Sequence, residues 1–132
     1  MKALVCTSIV VISMAFASAA TADNYGGYVN SPQMAGLVYA KFGGGYAGRC
    51  AVAIMYRESK GNPRASNYRD SNGGSYGLMQ LNGAHRWRGE SLSQFQRRQW
   101  NPVTHLIAAR RLYDAQRRAG FSGFGPWRGC PS

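Results

Sequence analysis

Acid is scarce in this 132-residue chain. Its carboxylates are Asp23, Glu58, Asp70, Glu90 and Asp114, five against 16 lysines and arginines, and the formal charge is +11. Any acid–base chemistry must therefore come from a short list. The excess charge, carried mainly by 13 arginines, draws polyanions over long range. Histidine is scarcer still: His85 and His105 stand apart, and with three cysteines they make no ligand spacing, so no metal is expected. Nothing in the chain asks for a cofactor. There is no internal repeat, no long linker and no phosphate-binding or nucleic-acid motif, so no specific nucleic-acid partner is expected. The length suits one small domain, expected to act as a monomer.

Long apolar runs are also missing, with one exception at the start. Met1-Lys2 is followed by ALVCTSIVVISMAFA and then by the small residues ASAATA. The run is too short for a comfortable membrane span and fits a secretory signal peptide, residues 1–20, cut after Ala19, Ala20 or Ala22. Cleavage takes away Lys2 and Cys6, so the charge falls from +11 to +10. An exported chain with two remaining cysteines, Cys50 and Cys130, reads as one with a disulfide. Closing a loop of that length is worth roughly 4–5 kcal/mol in the chain-entropy view. The protein is then periplasmic or extracellular.

Residues 21–30 are polar and glycine-rich and read as a flexible mature end; 31–132 form the domain. Ser31-Pro32 looks like a cap followed by a first-turn proline, and Met34, Leu37, Val38 and Phe42 recur at helical spacing until Gly43-Gly44-Gly45. A second helix over 47–59 carries Cys50, Ala51, Ala53 and Ile54 as its apolar stripe, with Glu58 on the same side. Lys60-Gly61-Asn62-Pro63 stops it. Residues 60–76 read as a loop with a small hairpin near Asn72-Gly73-Gly74. GLMQL reads as the start of a short helix. A helix over 91–100 should turn Leu92 and Phe95 inward. The last long helix runs over about 102–119, with Leu106, Ile107, Ala109, Arg110 and Tyr113 in phase, and Gly120 ends it. The fold class is mainly α.

Glu58 is the carboxylate placed to do chemistry. It closes a helix, where the negative end of the dipole disfavours its ionised form, while Arg57 beside it favours that form. A carboxyl group that keeps its proton near neutral pH is a general acid, suited to a glycosidic oxygen. Neutral donors and acceptors follow it: Ser59, Asn62, Ser66, Asn67, Asn72, Ser75, Gln80 and Asn82. Such groups recognise sugars, with Tyr68, Tyr76, Trp87 and Trp127 as possible stacking faces. Each aromatic taken alone suits core packing better than a sugar platform.

The segments AVAIMYRESKGNPRAS and GSYGLMQLN together resemble the lytic transglycosylase and goose-type lysozyme superfamily, in which a helix ends in ES, G-N-P-x-A follows, and GLMQ comes after a loop. WNPVTHLIAARRLY is similar to the family's late helix and GFGPW to its closing proline–tryptophan. The resemblance spans about residues 33–128 and implies a lysozyme-like fold with a turn-rich loop or small hairpin beside the active-site helix. It implies cleavage of the β-1,4 bond between N-acetylmuramic acid and N-acetylglucosamine in peptidoglycan. Glu58 matches the catalytic glutamate and Ser59 the serine that partners its turn. Gly77, Met79 and Gln80 match the motif that walls the cleft, and Tyr76 the aromatic position before it. Asn82 stands where some hydrolytic members carry aspartate, and His105 where the late helix usually has asparagine. The late catalytic tyrosine of larger members has no counterpart.

A hydrolase needs a second carboxylate to position water, and Asp70 is the candidate; without it, Glu58 must act first as acid and then as base, and the sugar's own 6-hydroxyl closes a 1,6-anhydro product. Turns favour aspartate in any case, so Asp70 also reads as a plain turn residue. Two readings from other classes compete with the enzyme: a cationic wall-binding or antimicrobial protein on the same scaffold, and a secreted nucleic-acid binder. The charge fits the enzyme too, since glycan strands bear peptide carboxylates and wall polymers bear phosphates. The expected partners are therefore peptidoglycan glycan strands and the anionic wall surface.

Overall fold

The computed structural model describes residues 31–132. The expected signal peptide and the tail at 21–30 lie outside the described residues. Four α-helices carry the domain: α1 (Ser31–Phe42), α2 (Tyr46–Ser59), α3 (Leu92–Trp100) and α4 (Pro102–Arg118). Three two-residue strands, β1 (Ser66–Asn67), β2 (Ser75–Tyr76) and β3 (Leu81–Asn82), form an antiparallel sheet in that order between α2 and α3. Short 3-10 turns follow at Gly83–His85 and Gly125–Trp127. This is a mainly helical, lysozyme-like arrangement.

The helix ends obey their local chemistry. Gly43 takes φ +86° after α1, and its N–H returns to Tyr39 O. Ser91 caps α3 in a full capping box with Gln94. Asn101 caps α4, accepting from Val103 and Thr104 N–H, with Pro102 at the first helical position. α1 packs on α2 and α4, and α3 packs on α4 and β2. The core they share holds Met34, Val38, Ile54, Met55, Leu78, Met79, Phe95 and Leu106. Cys50 in α2 and Cys130 in the closing tail are joined as a disulfide, with 80 residues of sequence separation.

Two local expectations are corrected. GLMQ does not open a helix: residues 77–80 form a tight turn between β2 and β3, whose register pairs Tyr76 with Leu81. Gly77 at φ +84° and Gln80 at φ +50° are incompatible with helical backbone, and Gln80 N–H closes the turn on Gly77 O. Leu92 does not point into the core. It is 37% exposed at the first turn of α3 and covers Gly73, where an added methyl would meet it at 2.8 Å. The hairpin near Asn72–Gly74 exists, but its loop is wider, since β1 pairs Ser66 with Tyr76 and Asn67 with Ser75.

Candidate active site

A cleft of about 660 Å³ runs between the end of α2 and the sheet. Glu58 and Arg57 stand on its helical side, and Asn67, Asp70, Gln80 and Asn82 on its sheet side. Of the residues singled out from sequence, Glu58, Asn67, Asp70, Ser75, Gln80, Asn82 and Trp127 are brought together here. Ser59, Tyr76, Gly77 and Met79 are not on its wall.

α2 delivers Glu58 because its end is tightly tied. Ser59 is buried, its hydroxyl donating to Met55 O and accepting from Gly61 N–H. Lys60 adopts the left-handed conformation, and its N–H returns to Tyr56 O. Ser59 therefore braces the turn, and Glu58, with its side chain 28% exposed, reaches the cleft. Arg57 grips Glu58 Oε1, with Nε at 2.9 Å and Nη2 at 2.8 Å. Arg57 Nη2 also donates to the Trp127 carbonyl, linking the carboxylate to the chain's closing segment.

The opposite wall is held by amides. Gln80 Nε2 donates to Ala65 O at 3.1 Å and Gly77 O at 3.0 Å, which fixes the amide orientation and leaves its oxygen for a ligand N–H. Asn82 is saturated: Nδ2 donates to Ser71 O and Ser75 Oγ, while Oδ1 accepts from Ala84 N–H and Asn72 Nδ2. An aspartate there would set negative oxygen against the Ser71 carbonyl, which accounts for asparagine. Asp70 is exposed on the wall, its Oδ1 held by Asn67 Nδ2 at 2.8 Å.

The buried members of the motif shape this wall from behind. Tyr76 is 1% exposed, wedged against Tyr68, Phe95 and Trp100, and its hydroxyl donates to Gly73 O. Burial pushes that hydroxyl's pKa up. Gly77 is required by close approach: a methyl there would lie 2.5 Å from Gln99 O and from His105 Nδ1. The approach is to the late helices, not to a ligand. Met79 is wholly buried; its N–H donates to His105 Nε2 at 2.9 Å, and its carbonyl accepts from Trp127 Nε1 at 2.7 Å.

His105 thus does a job its sequence position does not reveal. Nε2 accepts a hydrogen bond from Met79 N–H, so Nδ1 carries the ring proton and donates it to Gln99 Oε1 at 2.8 Å. Burial, assisted by Arg98, lowers its pKa to about 3. Other residues on the cleft wall escaped sequence reasoning: Ser71, His85 and Arg128. They come from separated turns, and no spacing announces them. Trp127 does line the cleft, from a largely buried position; Trp87 and Tyr68 are exposed elsewhere.

The transglycosylase SLT domain model matches residues 43–120, more than half of the chain. The chain belongs to the SLT transglycosylase family. No curated protein and no solved structure gives a significant match. The SLT match takes in α2, the whole sheet, α3 and α4, and hence Glu58, Asp70, Gln80 and Asn82. At the level of the family this is a peptidoglycan-directed transglycosylase-type domain, of the glycosidase class. Arg128, Trp127 and Cys130, which close the cleft and the disulfide, lie beyond the matched residues.

Proposed function

We propose that this SLT domain is an exported lytic transglycosylase that cuts the β-1,4 bond between N-acetylmuramic acid and N-acetylglucosamine, with Glu58 as its single acid and base. The observation that carries this is the placement of Glu58 at the braced end of α2, opposite an amide-lined wall, within a family-matched segment. In that role Oε2, the oxygen Arg57 does not hold, gives its proton to the glycosidic oxygen as the C1–O bond breaks. The carboxylate left behind takes a proton from the muramic 6-hydroxyl as O6 bonds to C1. Acid is regenerated, no water is consumed, and a 1,6-anhydro end results. The Gln80 carbonyl oxygen is suited to accept from an acetamido N–H. Residues 1–20 as signal peptide, the disulfide and the charge all suit work outside the cytoplasm on an anionic wall.

A second reading is supported by Asp70, which shares the cleft with Glu58. If it positions water, the enzyme is a hydrolytic muramidase. Mass spectrometry of the released muropeptides separates the two, since the anhydro product lacks one water. Glu58→Gln is expected to lower release of soluble fragments by about 10²–10⁴-fold while wall binding persists. Undiminished lysis by this variant would remove the enzymatic reading and leave a wall-binding protein.

A further inference from the structure

Neighbours in sequence do not face each other on a helix, so Arg57 and Glu58 should point apart on α2. They meet because the guanidinium folds back across the last turn. Both of its contacts with Glu58, from Nε at 2.9 Å and from Nη2 at 2.8 Å, fall on Oε1. The Arg57 side chain is 37% exposed, and a surface ion pair is a weak reason for a long side chain to give up its freedom. A second partner supplies the reason: Nη2 also donates to the Trp127 carbonyl.

That carbonyl is a fixed point. Trp127 is buried, its N–H donates to Phe124 O, and its indole donates to Met79 O in the sealed turn. Phe124 is itself in the core, and Cys130, shortly after, is bonded to Cys50 of α2. This anchor lies beyond the SLT-matched residues. Arg57 thus spans the end of α2 and the closing segment, and Glu58 Oε1 is held where the two meet. A planar fork of donors suits this task, because two fixed acceptors leave it a single pose.

We infer that Arg57 is a positioning residue for the reaction proposed above, selecting Oε2 as the one oxygen of Glu58 that handles protons. The inference rests on that reading of Glu58. With Oε1 occupied by N–H donors, the acid form keeps its O–H on Oε2. That proton passes to the glycosidic oxygen while the C1–O bonding pair leaves with the same oxygen. The charge left on the carboxylate spreads to Oε1, where the guanidinium meets it. Oε2 then takes the proton of the 6-hydroxyl as an O6 lone pair bonds to C1. Both transfers use one oxygen, so the carboxyl need not turn between them. A carboxyl free to turn would spread its proton over two oxygens and many directions, and such misplacement slows a reaction.

The test compares the disulfide-bonded wild type, Arg57→Ala and Arg57→Lys on soluble glycan strands, with thermal unfolding of each as the control for folding. Arg57→Ala should lower kcat by about tenfold to a hundredfold and leave KM within about twofold, because the lost interaction acts on the reacting groups and not on strand binding. Arg57→Lys keeps the charge without the fork and should recover little of the loss. In the wild type the Arg57 Nε–H resonance should be sharp, and Glu58→Gln should shift it. An Arg57→Ala enzyme as fast as the wild type, a loss confined to KM, or full recovery with lysine overturns the inference. So does an Arg57 Nε–H signal indifferent to Glu58→Gln. A folded wild type that cuts no strand removes the glycosidase reading and this inference with it. A wild type that cuts, and loses nothing with Arg57→Ala, removes the inference alone.

Discussion

The two hairpin turns that make the sheet side of the cleft are built in opposite ways. The turn at 77–80 is sealed into the core: Leu78 and Met79 are fully buried, and backbone groups meet His105 and Trp127. The loop at 68–74 is largely exposed and is held by short polar side chains, Asn67 on Asp70 and Asn82 on Ser71. The buried turn carries the most distinctive residues of the sequence, yet of its four only Gln80 meets the cleft. The exposed loop has an ordinary polar, turn-rich composition, and it and the strand before it supply Asn67, Asp70 and Ser71 to the same wall. A distinctive motif here marks where packing leaves no choice, and the ligand is offered what lies beside it.

Substitutions should keep this contrast or break it. Gly77→Ala combines a left-handed backbone with contact at 2.5 Å to fixed neighbours, and should cost about 3–5 kcal/mol in urea denaturation. A cost under about 1 kcal/mol would mean that the turn yields. His105→Leu strands Met79 N–H and should cost about 2–3 kcal/mol. It should also change the response to acid. The unfolded chain takes up a proton at His105 near pH 6.5, which the folded chain refuses until about 3, so native stability falls as pH drops through that window. The urea midpoint of the leucine variant should decline less between those values, and equal slopes would contradict the buried neutral ring.

Changes in the exposed loop should matter less to stability. Asn82→Asp loses the donors to Ser71 and Ser75 and should cost about 1 kcal/mol, with hydrogen exchange rising at 71–75 and unchanged at 77–80. Exchange that rises equally in both turns would erase the distinction between them. Asn67→Ala should stay within about 0.5 kcal/mol, because the bond to Asp70 is exposed. Its effect should appear in the products instead. If Asp70 positions water, releasing it changes the share of anhydro ends, and an unchanged share assigns Asp70 to the turn alone.

The helices were legible because their signals are local. Ser91, Asn101-Pro102 and the glycines after residues 42 and 119 state beginnings and ends within a few positions. Glu58 was legible for the same reason, as a rare acid at a helix end. GLMQL misled because a short apolar run buried on all sides shows no period, and its stabilising partner, His105, is 26 residues away from Met79. The Arg57 link to Trp127 spans 70 positions. Such meetings are properties of the packed chain. Leu92 was misplaced by a related error: hydrophobic periodicity gives a face, but a residue in the first turn of a helix can lie beyond the edge of what that face covers.

The bond between Cys50 and Cys130 has a topological consequence. It makes a covalent ring of everything from the middle of α2 to the tail, and Glu58 and both hairpin turns lie on that ring. A protease that clips the exposed loop at 68–74 opens the ring without releasing a fragment. The two pieces stay tethered across the helix that carries the acid, and they part on a gel only after reduction.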